Sequence, residues 1–401
     1  MSREEPLSTV PSTKPPRLES VDLLRGVVMI IMTLDHVRDF MSERLYMDPV
    51  DLKTTTPGIF LTRWITHYCA PTFIFLAGTS AFLTRMRGKS IPALSWFLLT
   101  RGLWLAFLEV TINRMLWMFN FDFHHHGAGV FWAIGWAMVV LSALVYLPTI
   151  LIGILGVAMI ASHNLLDGIT AEQVHLPAWL WVILHSGGDA TVIEGYTFNT
   201  GYCLIPWVGV MAAGYSFGTL LLLPQGTRQR TIFSLGVTLT AGFIILRCVN
   251  IYGDASLWQQ QSDDLRTALS FLNCTKYPPS LLYLLMTLGP AVMALALFDR
   301  PLGEVSRPII TFGRVPLFFY ILHIFLIHAA AVAIDFVRFG WSPLACAGPW
   351  EVKEGSVPPN YGLSLPMVYI AWISVLLLLY LPCRWFAGVK QRRRDVWLSY
   401  L

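Results

Sequence analysis

Apolar runs of about 20 residues alternate along the chain with short polar connections, and the runs predict roughly ten membrane-length helices. They lie near 20–40, 59–83, 93–117, 130–147, 149–163, 202–223, 232–251, 280–298, 309–336 and 363–386. The fifth is short, and the stretch HLPAWLWVILH at 175–185 reads as an eleventh span or an interfacial helix, so the count is ten or eleven. Between them, Arg85, Arg87 and Lys89 follow the second span, Arg228 and Arg230 the sixth, Arg300 and Arg307 the eighth, and Lys390, Arg392, Arg393 and Arg394 the last. Basic residues thus fill alternate loops, which puts both termini in the cytoplasm. The opposite loops, 41–58, 118–129, 164–201, 252–279 and 337–362, are richer in acid, histidine and aromatic residues. The expected architecture is an all-α polytopic transmembrane bundle over 20–387, between a disordered cytoplasmic tail (1–19) and a basic cytoplasmic tail (388–401).

Composition agrees with the pattern. The 401 residues are 55% hydrophobic and 13% charged, and the mean hydropathy is +0.59, too apolar for a soluble domain of this length. The net charge of +4 sits mainly in short loops, so it reports topology and points to no nucleic-acid partner. The first 19 residues carry Pro6, Pro11, Pro15 and Pro16 and no signal-peptide core. Six scattered cysteines show no metal-ligand spacing, and no metal is expected. Cys274 and Cys346 fall in loops on the same side, where a disulfide is open to them. Gly209, Gly214 and Gly218 line one face of the sixth span and suit close helix packing.

Against this apolar background the polar residues stand out. Arg25 and His36 are eleven steps apart, about 20° past three full turns, so one helix face carries both, roughly 16 Å apart along the axis. Charged groups inside a membrane are functional candidates by default, although Arg25 also suits snorkelling to the headgroups and His36 an interfacial position. Asp39, three residues on, is expected to orient the His36 imidazole and raise its basicity, while Asp35 and Arg38 form a second pair around the side. His67 enters the second span at a depth comparable to His36, and Cys69 beside it, two residues before Pro71, reads better as packing than as a nucleophile. Glu109, in the third span, needs a partner or a proton, with Arg25 and Arg101 as the expected cations. His323 lies about ten residues into the ninth span, where an imidazole needs a hydrogen-bond partner. His124, His125 and His126 are consecutive and diverge on any regular backbone, which disfavours a joint metal site. Lys276, in Lys276-Tyr277-Pro278-Pro279-Ser280, is a stiff entry to the eighth span or a contact for an anionic substrate. Trp179, Trp181 and Tyr196 suit an interfacial belt or a sugar-stacking surface.

Taken in order, Ser20-Val21-Asp22-Leu23-Leu24-Arg25-Gly26, Asp35-His36, Cys69-Ala70-Pro71-Thr72-Phe73-Ile74-Phe75-Leu76-Ala77-Gly78, Ile205-Pro206-Trp207, Lys276 to Ser280 and Gly313-Arg314 through His323 resemble the bacterial branch of the heparan-α-glucosaminide N-acetyltransferase family. The spacing from Arg25 to His36 is also similar to the arginine-to-histidine signature of the broader integral-membrane acyltransferases. The resemblance implies an enzyme in the bacterial inner membrane that takes an acyl group, usually acetyl, from cytosolic acyl-CoA and delivers it to an amine or hydroxyl of an extracytoplasmic sugar or envelope glycan. It implies Arg25, with Arg101 and Arg314, as contacts for acyl-CoA, and His36, assisted by Asp39, His67 or His323, as the catalytic group. Asp35, Glu109 and Lys276 would then meet the acceptor. In the lysosomal branch the catalytic histidine follows the first span, whereas the loop 41–58 here has none, and His36 stands where that branch has asparagine. Membrane lipids are the other expected partners, and a homodimer is left open.

Two other classes compete on residue pattern alone. One is a transporter of a small polar or lipid-linked molecule, with Arg25, Glu109, His36 and His323 as an ion path; an inverted repeat would favour it. The other is a scaffold whose buried polar groups only fix packing.

Overall fold

A computed structural model describes residues 18–43, 47–353, 355–393 and 395–400; the tail expected at 1–19 lies outside them up to residue 17. The helices are, in order, α1 (Glu19–Met41), α2 (Pro57–Thr66), α3 (Cys69–Met86), α4 (Ile91–Leu108), α5 (Arg114–Met118), α6 (Val130–Leu144), α7 (Thr149–Ser162), α8 (Ala178–Trp181), α9 (Leu204–Phe217) and α10 (Gln225–Val249). Then come α11 (Asp264–Leu272), α12 (Leu281–Phe298), α13 (Ser306–Arg314), α14 (Pro316–Phe339) and α15 (Leu365–Arg392). A π turn, Glu109–Asn113, joins α4 to α5 without a break.

Among the described residues, seven helical stretches are long and apolar enough to cross a membrane: α4 to α5, α7 with its 3-10 extension, α9 likewise, α10, α12, α14 and α15. The expected first span forms α1, whose 23 residues measure about 35 Å, but its acids and arginines keep it out of that set. In α9 and α12, 67% of the apolar window is buried, against 17% in α15 and 22% in α7 and α10. The first two are therefore interior and the other three peripheral, presenting residues such as Ile373, Leu377 and Leu381 outward.

Helix α1 is the hub, packed by α2, α3, α12, α13, α14 and α15. Its acids Glu19 and Asp22 lie in the first turn and Arg38 in the last, matching the helix dipole. Close approach to α13 depends on glycine at two positions. A β-carbon on Gly26 would fall within the Ile309 carbonyl, and one on Gly313 within that of Asp22. The same device joins α3 to α9 through Gly78 and Gly214, the latter one of the three glycines expected to serve packing.

Two expected spans are interrupted. The run 59–83 breaks between α2 and α3 because Pro71 has no N–H to donate to the carbonyl of His67, which instead accepts from the Tyr283 hydroxyl at 2.8 Å. The run 309–336 breaks at Val315 (φ −130°, ψ 49°), where the following Pro316 disfavours helical geometry. The stretch 175–185 is no span: α8 has four residues, continues as a π turn through Ser186 and ends at Gly187 with φ 68°. The expected basic tail is partly helical, since Lys390 and Arg392 close α15; Arg394 lies outside the described residues.

The all-α expectation needs one addition, a three-stranded sheet in the connections. Strand β1 (His125–Ala128) runs parallel to β3 (Tyr196–Thr200), which pairs antiparallel with β2 (Gly188–Ile193). Near the C-terminal end of α1, Glu43 N donates to Leu363 O (3.0 Å) and Leu363 N to Met41 O (2.6 Å), clamping the segment 340–363 onto it. Cys274 and Cys346 are both free, the first buried and the second exposed, so the disulfide left open for them is not formed.

If backbone contact at Gly313 holds α1, Gly313→Leu should destabilise the purified protein by about 1–3 kcal/mol or more. Gly303→Leu, where a β-carbon meets nothing, should leave the thermal unfolding midpoint in detergent unchanged.

Candidate functional site

The C-terminal third of α1 carries His36, and its partner comes from α14. His36 Nδ1 lies 2.7 Å from His323 Nε2, with the rings stacked at 5.0 Å. His323 Nδ1 lies 3.1 Å from the Phe319 carbonyl, one turn back on the same helix. A carbonyl only accepts, so Nδ1 of His323 carries the proton and Nε2 offers a lone pair. That lone pair accepts from His36 Nδ1–H, which leaves His36 Nε2 as a lone pair. Among the described residues it has no hydrogen-bond partner, and His36 is only half-buried. The relay thus ends on an imidazole nitrogen able to take a proton. Trp117 and Tyr320 stand edge-on to His36 at 5.0 and 5.9 Å, and Trp350, from the clamped segment, packs against Trp117 at 4.7 Å.

The expected orienting group, Asp39, is not bonded to His36. Its carboxylate goes to Arg38 at 2.5 Å, and Arg38 also reaches Asp35 at 2.8 Å, so the pair expected around the side of the helix is present. Position on the helix face was right for Asp39, but a neighbouring guanidinium is the stronger attraction. Asp35 is further paired with Arg63 of α2, an arginine that sequence reasoning passed over. His67 is buried in the turn after α2, its ring edge-on to Tyr283 at 5.4 Å, and its Nδ1 has no hydrogen-bond partner. The charge of Lys276 acts on Asp35, His36 and His67 together. One polar basin therefore gathers His36, His323, Asp35, Arg63, His67 and Lys276. Cys69 donates to the Val28 carbonyl at 3.4 Å and is buried, in keeping with packing.

At the other end of α1, Arg25 donates to Ser80 Oγ (2.9 Å), Asp22 (3.2 Å) and the Gly313 carbonyl (3.2 Å). Arg314 reaches Glu19 at 3.0 Å and Asp22 at 3.7 Å. Arg101 is near enough to Arg25 for their charges to repel. The three arginines expected to meet acyl-CoA are thus gathered around two carboxylates, Glu19 and Asp22, with an excess of one positive charge. Both Arg25 and Arg314 are partly exposed.

Glu109 has neither Arg25 nor Arg101 as its partner. Its carboxylate accepts from Asn113 Nδ2 (2.7 Å) and from the backbone N–H groups of Phe131 (2.9 Å) and Trp132 (3.2 Å) at the start of α6. Helix N-termini hold carboxylates through free N–H groups and the dipole, which is why no cation is needed. Asn113 is i+4 to Glu109 within the π turn, and turns of this kind mark functional sites in many helices.

Other organising residues were missed. Arg247 and Asp254 are buried together; Arg247 donates to the carbonyls of Phe271, Ser256, Ser270 and Asn273, and Asp254 accepts from Thr275 and Ser280. This pair shapes the loop that carries Lys276, and an arginine at the end of an apolar run was its only signal. Trp181 is buried, donating to the Ile169 carbonyl at 2.9 Å, so it offers no stacking surface. Tyr196 is exposed and stacks on His124, whose ring meets Asp122 at 2.5 Å.

The profile of the family described as heparan-alpha-glucosaminide N-acetyltransferase, catalytic, matches residues 17–258. That segment contains Arg25, Asp35, His36, His67 and Glu109, while Lys276, Arg314 and His323 lie beyond it. No curated protein matches the chain.

Tyr277 carries a testable electrostatic signature of the basin. Burial acts to raise its phenol, but the charges of Lys276 and Arg63, with hydrogen bonds to Lys276 and Tyr202, outweigh it and hold the phenol below its ordinary value. The phenolate absorbance lost in Tyr277→Phe should therefore titrate below the usual value of about 10. In Lys276→Met that component should move to higher pH.

Proposed function

This chain belongs to the heparan-alpha-glucosaminide N-acetyltransferase catalytic family, and we propose that it moves an acetyl group from cytosolic acetyl-CoA to an amine of an extracytoplasmic amino sugar or envelope glycan. The observation that carries the reading is the bond order His36 to His323 to the Phe319 carbonyl, which leaves His36 Nε2 as a proton acceptor on the same helix as Arg25.

In the proposed reaction the acceptor nitrogen attacks the thioester carbonyl, forming a C–N bond as the C–S bond breaks. His36 takes the proton released by nitrogen and returns it to the departing thiolate, so no proton is gained or lost overall. His323 stabilises the intervening imidazolium by accepting from its Nδ1–H. The oxyanion that develops needs a donor, and the cations of the basin, Lys276 foremost, are the groups suited to stabilise it or to hold an anionic acceptor beside it. His67, with an unpartnered ring nitrogen in the same basin, is the second candidate for base. Arg25, Arg101 and Arg314 have the charge to receive CoA phosphates. Their partial exposure and excess of one positive charge support that role. Glu109 acts on this account through α6, as a positioning residue. The basic loops support a cytoplasmic origin for the donor, and the carboxyl end of α1 then lies outside.

Purified protein incubated with radiolabelled acetyl-CoA and an envelope extract should pass label to an amino-sugar component; failure to bind or turn over any acyl-CoA would contradict the proposal. His36→Ala should lower kcat by about 10²–10⁴ while leaving acetyl-CoA binding in place. Arg25→Ala should weaken acetyl-CoA binding by about tenfold or more, the value of a lost charge-assisted hydrogen bond. Equilibrium binding and initial rates on the same preparations separate the two effects.

A further inference from the structure

Beside the basin, and sharing a wall with it, is a second cavity of about 200 Å³. The wall is the segment 275–280. Thr275, Pro278 and Ser280 line the cavity, whereas the charge of Lys276, between them in sequence, acts on Asp35 and His36. The remaining walls come from 164–169 and from His185 and Ser186 at the end of the π turn after α8, with Ala255.

Its polar groups form a prepared set. Asp167 accepts from Asn164 Nδ2 at 2.8 Å and pairs with His185 Nε2 at 3.2 Å. Asn164 Oδ1 in turn accepts from the Leu281 N–H at 2.9 Å, which fixes the amide orientation at the start of α12. With Nε2–H directed at the carboxylate, His185 Nδ1 bears a lone pair, and it has no hydrogen-bond partner although the side chain is only 3% exposed. His163, 6.0 Å from His185 between ring centres, is buried with both ring nitrogens unpartnered. Leaving such a group unsatisfied costs about 1–3 kcal/mol, so this cluster is built to meet a ligand that donates hydrogen bonds. Burial also holds the His185 imidazole below its usual value, an effect that Asp167 only partly offsets; neutral imidazole is the form that accepts.

Leu166, Ile169 and Pro278 give the cavity an apolar side. Hydroxyl acceptors opposite an apolar wall fit a pyranose ring, with O–H groups at its rim and C–H groups on its face. The volume is below the roughly 300–1,000 Å³ of sites for drug-sized ligands, which suits a single ring. We propose that this cavity is a second sugar subsite, holding the ring joined to the one acylated at His36, so that the acceptor is at least a disaccharide. The inference rests on the reading of the chain as an acyltransferase to amino sugars.

The test compares glucosamine with its β1,4-linked disaccharide as acceptors, using the full-length protein in detergent and acetyl-CoA as donor. The disaccharide should show a kcat/KM at least about tenfold higher, equivalent to about 1.4 kcal/mol of added binding. That ratio should fall toward unity, chiefly through KM, in Ser186→Trp, which fills the cavity mouth from an exposed position, and in Asp167→Asn, which removes the charge and keeps the shape. A ratio near unity in the unaltered protein, a ratio that neither substitution moves, or transfer to neither sugar by protein that binds acetyl-CoA would overturn the subsite. Protein that neither binds acetyl-CoA nor labels any envelope component would overturn the enzyme reading instead.

Discussion

Every charge on α1 has to be met by a partner from another helix or from its own face, because the helix is surrounded on most sides by an apolar bundle. Isolated, each would cost several kcal/mol. Paired, they dictate how the neighbours sit: Arg25 draws in Ser80 of α3 and the Gly313 carbonyl of α13, Asp35 draws in Arg63 of α2, and His36 draws in His323 of α14. The glycine contact between Gly26 and Gly313 brings α13 close enough for the first of these to form. Packing and polar chemistry on α1 are therefore one design, and neither survives loss of the other.

The same constraint explains what could be read from the chain. Helical spacing alone put Arg25 and His36 on one face, and apolar runs located the membrane-length helices. Partners were harder. Asp39 has the correct i,i+3 spacing for His36, yet Arg38 holds it, and the true partner is 287 positions away on α14. No periodicity carries that information; it arises when α1 and α14 pack. Glu109 was matched with arginines because a carboxylate in an apolar run suggests a cation, whereas the start of α6 supplies backbone N–H groups that a side-chain inventory omits. The break before α3 follows from Pro71 and was available in principle, since proline leaves the His67 carbonyl without a helical donor. The small sheet was invisible because its strands are short and lie in loops with no alternating apolar pattern.

The two ends of α1 differ in kind. The Arg25 end is a cluster of guanidinium and carboxylate groups with some exposure, suited to a mobile anionic donor. The His36 end is a closed basin of imidazoles and aromatic rings, overlain by Trp350 and bordered by the loop that Arg247 and Asp254 shape. In the proposed reaction the acyl group is exchanged at the second end while the nucleotide stays at the first, so the pantetheine arm would span the distance between them and the helix would keep its place. The neighbouring cavity extends that arrangement sideways, toward the rest of a glycan.

The most direct test of this account is vectorial. Protein reconstituted in sealed vesicles, oriented with its basic loops inward, would receive labelled acetyl-CoA in the lumen only and the glucosamine disaccharide outside only. The account predicts labelled acetylated sugar in the outer medium, at a rate that collapses in His36→Ala. Product formed only when donor and acceptor share one side of the membrane would contradict it.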